Sequence, residues 1–358
     1  MIASSAPAQG GGARRLPDGE QLFTLETFGG NGRTCRTCHG QQTGTVSPKD
    51  ARKRFKNDPT DPLFIHDGSD DGRGHGTNRI LNDATILMTI PLAANVTLAD
   101  APHARSVVVR RGIASTLNTP ALDPVLMLDG REPTLESQAM GAIIDHAQSH
   151  AFSPADLRSI AQFELTDGFF SSPALRNFAR GGPEPGLPEG NTESEKRGRR
   201  FFEDAPPDPT DGFRPGLCAF CHSGPLLNQA NQFATFFIGE PVPTGARFFN
   251  VAVSDFNAAG NPWIEFVFNK GTASEKSVIS PDPGRALITG NVDEVNFFKS
   301  SPLRGIRLTA PYFHDNSAKT LEDVAAHYAR FFTVSSNGLI NLSLQDQQDM
   351  VAFMRLLD

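Results

Sequence analysis

Cys218-Ala219-Phe220-Cys221-His222 is the stretch from which the rest of this 358-residue chain is understood. Cys-x-x-Cys-His is the attachment site of a c-type haem: the two thiols add to the porphyrin vinyl groups and the adjacent histidine ligates the iron from one face. One helical turn brings both sulfurs along one porphyrin edge with the imidazole beneath the ring. The pentad recurs as Cys35-Arg36-Thr37-Cys38-His39, and together the two use all four cysteines of the chain. A zinc site needs further cysteines or a trailing histidine pair, and neither pentad has them. A thioredoxin-like reading is disfavoured because a histidine follows both pairs and no βαβ pattern surrounds them. Two covalently bound haem c groups are therefore expected, on Cys35 and Cys38 and on Cys218 and Cys221, with His39 and His222 as proximal iron ligands.

The length suits two domains of ordinary size. A formal net charge of −7, made more negative by haem propionates, argues against a nucleic-acid partner. The 27 Pro and 33 Gly imply long connections between modest helices. No apolar run approaches the ~18 residues a membrane span requires. Met1 to Ala8 has neither a charged n-region nor an apolar h-region. Haem attachment of this kind takes place outside the bacterial cytoplasm, so a periplasmic location and a longer precursor are expected. Residues 1–15 are expected to form a flexible arm.

From Leu16 to Phe28, the stripe Leu22, Leu25 and Phe28, with Phe23 beside it, predicts a helix leading into the first pentad. Thr43 to Gly76 is polar and rich in Pro, Gly and Asp, and is expected to lack regular structure. Within it, Asp67-Gly68-Ser69-Asp70-Asp71-Gly72 matches half of a calcium loop, but Asn78 stands where the bidentate Glu belongs. A solvated turn is the favoured reading, with one Ca2+ ion as the alternative. Thr85 to Val109 is apolar and β-branched, suited to strands or packing loops. Thr134-Leu135-Glu136 opens a helix, and Ser153-Pro154-Ala155-Asp156 opens another whose expected buried stripe is Leu157, Ile160, Ala161 and Leu165. Gly181 to Gly190 is the linker, and a charged helix from Glu193 to Phe202 leads into the second pentad. Phe233 to Phe268 predicts long loops or a short hairpin. Thr320 and Ser343 cap the last two helices, whose faces are Leu321, Val324, Ala325, Tyr328 and Met350, Val351, Met354, Leu357.

The halves repeat beyond the pentads. Arg111-Gly112-Ile113-x-x-Thr116 returns as Arg304-Gly305-Ile306-x-x-Thr309, and Asp129-Gly130-x-x-x-Thr134-Leu135-Glu136 returns as Asp315-Asn316-x-x-x-Thr320-Leu321-Glu322. A repeat of this length fits two copies of one domain rather than a solenoid. The expected fold is mainly α: two cytochrome c-like haem domains related by internal duplication, residues 16–180 and 191–358, joined by linker 181–190. The loop before the shared Asp offers Tyr312 or His314 as a second axial ligand in the later copy, but only Met127 in the earlier one. One iron is thus expected to be closed for electron transfer and the other open to a small oxidant.

These residues resemble the bacterial diheme cytochrome c peroxidase/MauG family over most of 16–358. The resemblance rests on the pentads, on Leu128-Asp129-Gly130-Arg131 with Gln138, and on Leu303-Arg304-Gly305-Ile306 through Ala310-Pro311-Tyr312-Phe313-His314-Asp315. It implies a peroxide-reactive N-terminal haem, an electron-transfer C-terminal haem with Tyr312 as distal ligand, a calcium ion between them, and a redox partner protein as donor. It also implies Gln138 as the distal amide. The family's bridging Trp is replaced by Leu128 and its catalytic Glu by Gln148, which cannot accept the peroxide proton. His146 and His150 flank that position and are the substitutes, sharing a face if their helix extends so far. The expected activity is reduction of hydrogen peroxide or a related oxidant. The alternatives are a purely electron-transferring diheme cytochrome and MauG-like oxidation of a larger substrate, and a homodimer is one assembly left open.

Overall fold

The computed structural model describes residues 17–118, 120, 122–235 and 241–357. The expected arm 1–15 lies outside them. Among the described residues no helix is long and apolar enough to cross a membrane.

In the first half, α1 (Gly19–Thr24) leads to α2 (Cys35–Cys38), followed by α3 (Pro48–Asn57), α4 (Asn78–Asp83), and strands β1 (Thr85–Pro91), β2 (Val96–Leu98) and β3 (Ser106–Gly112). Helices α5 (Leu135–Asp145), α6 (Pro154–Thr166) and α7 (Pro173–Ala179) complete it. In the second half, α8 (Glu193–Arg199) precedes the second pentad, followed by β4 (Phe248–Phe249), β5 (Ile264–Phe268), β6 (Lys276–Ser280), β7 (Phe298–Lys299), α9 (Leu321–Ser335) and α10 (Leu344–Met354).

Capping explains most of the helix starts. Thr134, Ser153, Thr192, Thr320 and Ser343 each accept the N3 backbone N–H while the N3 side chain returns a bond to the cap, which satisfies amide groups the helix itself leaves unpaired. The same device starts α3 at Ser47-Pro48-Lys49-Asp50, inside the segment expected to be irregular. That helix is charged and buries only Ala51, so its apolar pattern is silent although its cap is legible. Helix α1 is shorter than expected: it ends at Thr24, Leu25 is 71% exposed, and Phe28 sits at φ 52.

One packing arrangement recurs. α1 packs on α6, and α6 on α5; α8 packs on α10, and α10 on α9. The α1–α6 and α8–α10 crossings are close because a glycine stands at each. A Cβ on Gly19 would strike the Ser159 carbonyl and Phe163, and one on Gly198 would strike the Asp349 carbonyl and Phe353. The loops before α5 and α9 also match, with bridges Leu126 to Glu132 and Tyr312 to Ala318 and left-handed Met127 and Phe313.

The halves do not divide cleanly at 181–190. β1 and β3 form an antiparallel ribbon whose Ile86, Met88, Ile90, Val107 and Val109 are buried, the period-two pattern of a half-covered ladder. β2, however, pairs with β5, which pairs with β6, so one sheet takes strands from both halves. Arg111 is buried between Asp129 (2.5 Å) and Asp282 (2.6 Å), and Asn118 donates to the Arg304 carbonyl at 3.0 Å. Arg304 itself donates to the carbonyls of Pro225 and of Pro185 in the linker. Breaking one member of a buried charge cluster typically costs ~3–5 kcal/mol, so these contacts hold the halves in a fixed relation.

Candidate functional site

Around the first pentad, Thr34 caps α2 reciprocally with Thr37, and the His39 N–H bonds to the Cys35 carbonyl at 2.9 Å. The His39 ring is oriented by its own loop: Nδ1 donates to the Gly44 carbonyl at 2.8 Å. His222 repeats this, its Nδ1 facing the Leu227 carbonyl at 2.9 Å and Ser300 Oγ at 3.2 Å. In both, the carbonyl lies five residues on. An Nδ1–H tied to a carbonyl leaves Nε2 as a free lone pair for a metal. Burial lowers both imidazoles to about 4, against the opposing pull of those carbonyls, so both rings are neutral at ordinary pH and available as ligands.

The thiols are equally desolvated. Burial pushes Cys35 up to about 12, with Glu164 adding to it, and Cys221 to about 12; Cys38 and Cys218 move the same way. Among the described residues no three His, Cys, Asp or Glu side chains converge to hold a bare metal ion. Paired neutral thiols beside a half-free imidazole are the donor set a covalently attached haem requires.

Cys35, Cys38 and His39 line a cleft of about 590 Å³, open mouth included, whose walls are Phe23, Phe28, Ala139, Ala142, Ile143 and Ile160. Gln138, His146, Arg33, Glu26 and Glu164 supply its polar groups. α5 brings Gln138 to the cleft through its i, i+4, i+8 face. His146 is the C-cap of that helix, so it does not share a helical face with His150, which is exposed, and the expected pairing of those histidines is not formed. Gln148 has a left-handed φ of 56, is exposed and accepts from Asn31 Nδ2 at 3.1 Å; it is not on the cleft wall.

Asp67 was expected on a solvated turn, yet it is buried. Its Oδ1 receives Arg33 and its Oδ2 receives His146 Nδ1 at 2.5 Å. Burial alone would raise this carboxyl, but His146 and Arg33 outweigh it and hold it below the usual range. Asp70 caps Asn78 and Arg79, and Asp71 pairs with His75. The half calcium loop is thus spent on internal bonds, with Asp67 turned to Arg33 and His146.

Glu164 was missed because the stripe of α6 was continued with Leu165. Leu165 is 43% exposed and Glu164 is 4% exposed: the buried face runs Leu157, Ile160, Ala161, Glu164, the i, i+3, i+4, i+7 spacing that helical geometry dictates. Burial raises its carboxyl to about 8.

The chain has two tyrosines, Tyr312 and Tyr328. Tyr312 donates its hydroxyl to the Ile306 carbonyl at 3.0 Å. Burial and Glu322 push it up to about 12, opposed by Arg355. Tyr328 on α9 is driven up by burial, then by Cys221 and Cys218, which lie within electrostatic reach of it. Its signal was present, since it shares the stripe of Leu321, Val324 and Ala325. His314 is buried, stacked on Phe298 with centroids 3.7 Å apart, and its Nε2 meets Ser254 Oγ at 3.3 Å.

No protein-family model matches the chain. It is 39% identical over 82 residues to cytochrome c551 peroxidase of Nitrosomonas europaea, a match that spans 22% of each protein. It is 26% identical over 152 residues to cytochrome-c peroxidase IdrP1 of Pseudomonas sp. (strain SCT), 39% of this chain and 36% of that protein. Against cytochrome-c peroxidase IdrP2 of the same strain, the match runs over 99% of this chain and 84% of the relative at 22% identity. Among solved structures, a MauG-like protein associated with microbial copper homeostasis superposes with a TM-score of 0.52 at 20% identity, over 95% of this chain and 86% of the other.

Proposed function

From the premise that this chain belongs to the bacterial diheme cytochrome c peroxidase/MauG family, we propose that it is a periplasmic c-type haem oxidoreductase that reduces hydrogen peroxide or a related small oxidant. Electrons arrive from a redox partner protein through a haem held by Cys218, Cys221 and His222. They are consumed at a haem held by Cys35, Cys38 and His39. The recurring packing of α1, α5 and α6 in α8, α9 and α10 supports two haem domains of common descent.

One observation carries this reading. The first pentad opens on a cleft lined by His146, whose ring is held from behind by Asp67, whereas the buried Tyr328 lies within electrostatic reach of the thiols of the second. A haem held by Cys35, Cys38 and His39 would supply the redox chemistry, delivering electrons to the oxidant. Reduction of peroxide to water takes two electrons and two protons, and the residues must move those protons. His146, its Nδ1 fixed by Asp67, lines the cleft and can take a proton at Nε2 from one peroxide oxygen and return it to the departing one. The Gln138 amide can orient the oxidant by hydrogen bonding. Gln148 has no part in this scheme, and His146 fills the role that its position holds in relatives. Tyr328, in place of Tyr312, is the candidate second ligand of the His222 iron, through oxygen as tyrosine ligates haem elsewhere.

A second reading has one observation in its favour: the same free Nε2 of His146 could ligate the first iron and make the protein a pure electron carrier. The ferric spectrum separates them. A high-spin component that changes rapidly with peroxide supports the peroxidase; two low-spin, peroxide-inert haems support the carrier.

A further inference from the structure

Glu164 is a buried acid that the scheme above leaves idle. It lines the cleft of Cys35 and His39, is 4% exposed, and its Oε2 has no hydrogen-bond partner. Among the described residues no cation pairs with it. Arg33 is committed to Asp67 and to the carbonyls of Pro62, Leu63 and Ile65, and Arg36 lies over Phe23 and Phe169 while donating to the His39 carbonyl. The other ionisable groups of the cleft are Glu26, which accepts the Phe28 N–H, Cys35, Cys38, His39 and His146. On the helices packed against α6, Glu20 and Asp145 are exposed and Glu136 is half-buried, and none of the three lies on the cleft wall. An unpaired carboxyl in such surroundings costs several kcal/mol if charged and is kept neutral instead.

We propose that Glu164 is the proton-linked group of the first haem site, carrying a proton when the iron is reduced and releasing it to solvent when the iron is oxidised. This rests on haem being attached at Cys35 and Cys38. The balance is one electron from a one-electron reductant to the ferric iron, with one proton from solvent to the Glu164 carboxylate. The cleft's total charge is then the same before and after, which a poorly solvated site favours because it avoids an uncompensated buried charge. In oxidation the O–H bond breaks, the proton leaves through the open mouth, and the carboxylate remains beside the cationic iron centre.

The test is a spectroelectrochemical titration of the holoprotein from pH 5 to 9 with small redox mediators, the His222 haem serving as internal reference. The wild-type first haem should lose potential with rising pH, by up to 59 mV per tenfold fall in proton concentration. Glu164→Gln should flatten that slope, Glu164→Asp should restore part of it, and the reference haem should be unmoved by either. Redox-difference infrared spectra of the wild type should gain a protonated-carboxyl band on reduction, a readout that survives if the Gln variant fails to fold. Equal slopes in wild type and Glu164→Gln, or no carboxyl band, overturn the proposal while the haem assignment stands. A mass one haem short, with Cys35→Ser/Cys38→Ser unchanged in haem content, overturns both and identifies the attachment as the failed premise.

Discussion

His146 Nδ1 stands 2.5 Å from Asp67 Oδ2 across a sequence separation of 79 residues. Because Asp67 is held ionised it can only accept, so the imidazole donates through Nδ1 and keeps its lone pair on Nε2, in a residue that lines the cleft. That geometry gives a C-cap histidine a fixed ring orientation beside the first pentad.

Peroxide turnover should therefore depend on both residues. His146→Gln is expected to lower kcat/KM for peroxide by ~10²–10⁴-fold, the usual range for removing a general acid–base group. Asp67→Asn should lower it less, by releasing the ring. It should also reduce thermal stability, since Arg33 then loses its buried partner at a cost of ~3–5 kcal/mol. Gln148→Ala, on an exposed position, should change neither rate nor melting. Stopped-flow kinetics beside calorimetry on the three variants checks this, and a Gln148 variant as slow as the His146 one would reverse the assignment.

The tyrosines should separate by spectrum. Tyr328→Phe is expected to convert the His222 haem from low-spin to high-spin in the ferric state. Tyr312→Phe should leave that spectrum alone and cost ~1 kcal/mol for the lost bond to Ile306. Ferric electron paramagnetic resonance distinguishes the two, and the opposite pattern would restore Tyr312 as the ligand.

Glu164 should give the protein a pH-dependent stability of definite sign. Its folded carboxyl titrates at about 8 and an unfolded glutamate near 4.3, so between these values the folded state binds more protons than the unfolded one. Stability from this group is complete below the unfolded value, is lost as pH rises toward 8, and then levels off. The slope is at most ~1.4 kcal/mol per pH unit. Denaturant midpoints across that window should fall with pH in the wild type and fall less in Glu164→Gln; parallel curves would contradict the burial.

The helix crossings should not tolerate a side chain. Gly198→Val and Gly19→Val each push a β-branched group against a facing carbonyl, at a cost of ~1–3 kcal/mol or more. Hydrogen exchange should show the first loosening α8 and α10 and the second loosening α1 and α6. Unchanged exchange in both would mean that the crossings have room to spare.

What the sequence determined by itself is local. The pentads and the capping residues Thr134, Ser153, Thr320 and Ser343 depend on contacts within a few residues, which spacing alone records, whereas the apolar, β-branched run Thr85 to Val109 left strands and packing loops both open. The Ser47 cap carried the same information for α3 and went unused because no apolar stripe accompanied it.

Tertiary structure decided the chemistry. Leu165 outranks Glu164 on hydrophobicity, but the helical repeat carries residue 164 into the cleft, and only the neighbouring α1 and α5 show that nothing there pairs with it. Tyr312 stands in the motif, but its loop turns its hydroxyl back to Ile306, while Tyr328 on α9 is the tyrosine within electrostatic reach of the thiols. Asp67 and His146, and likewise β2 and β5, meet only after the chain has folded across long separations. Which partner a polar group finds then depends on what packing leaves within a hydrogen bond's reach, a constraint that no window of sequence contains.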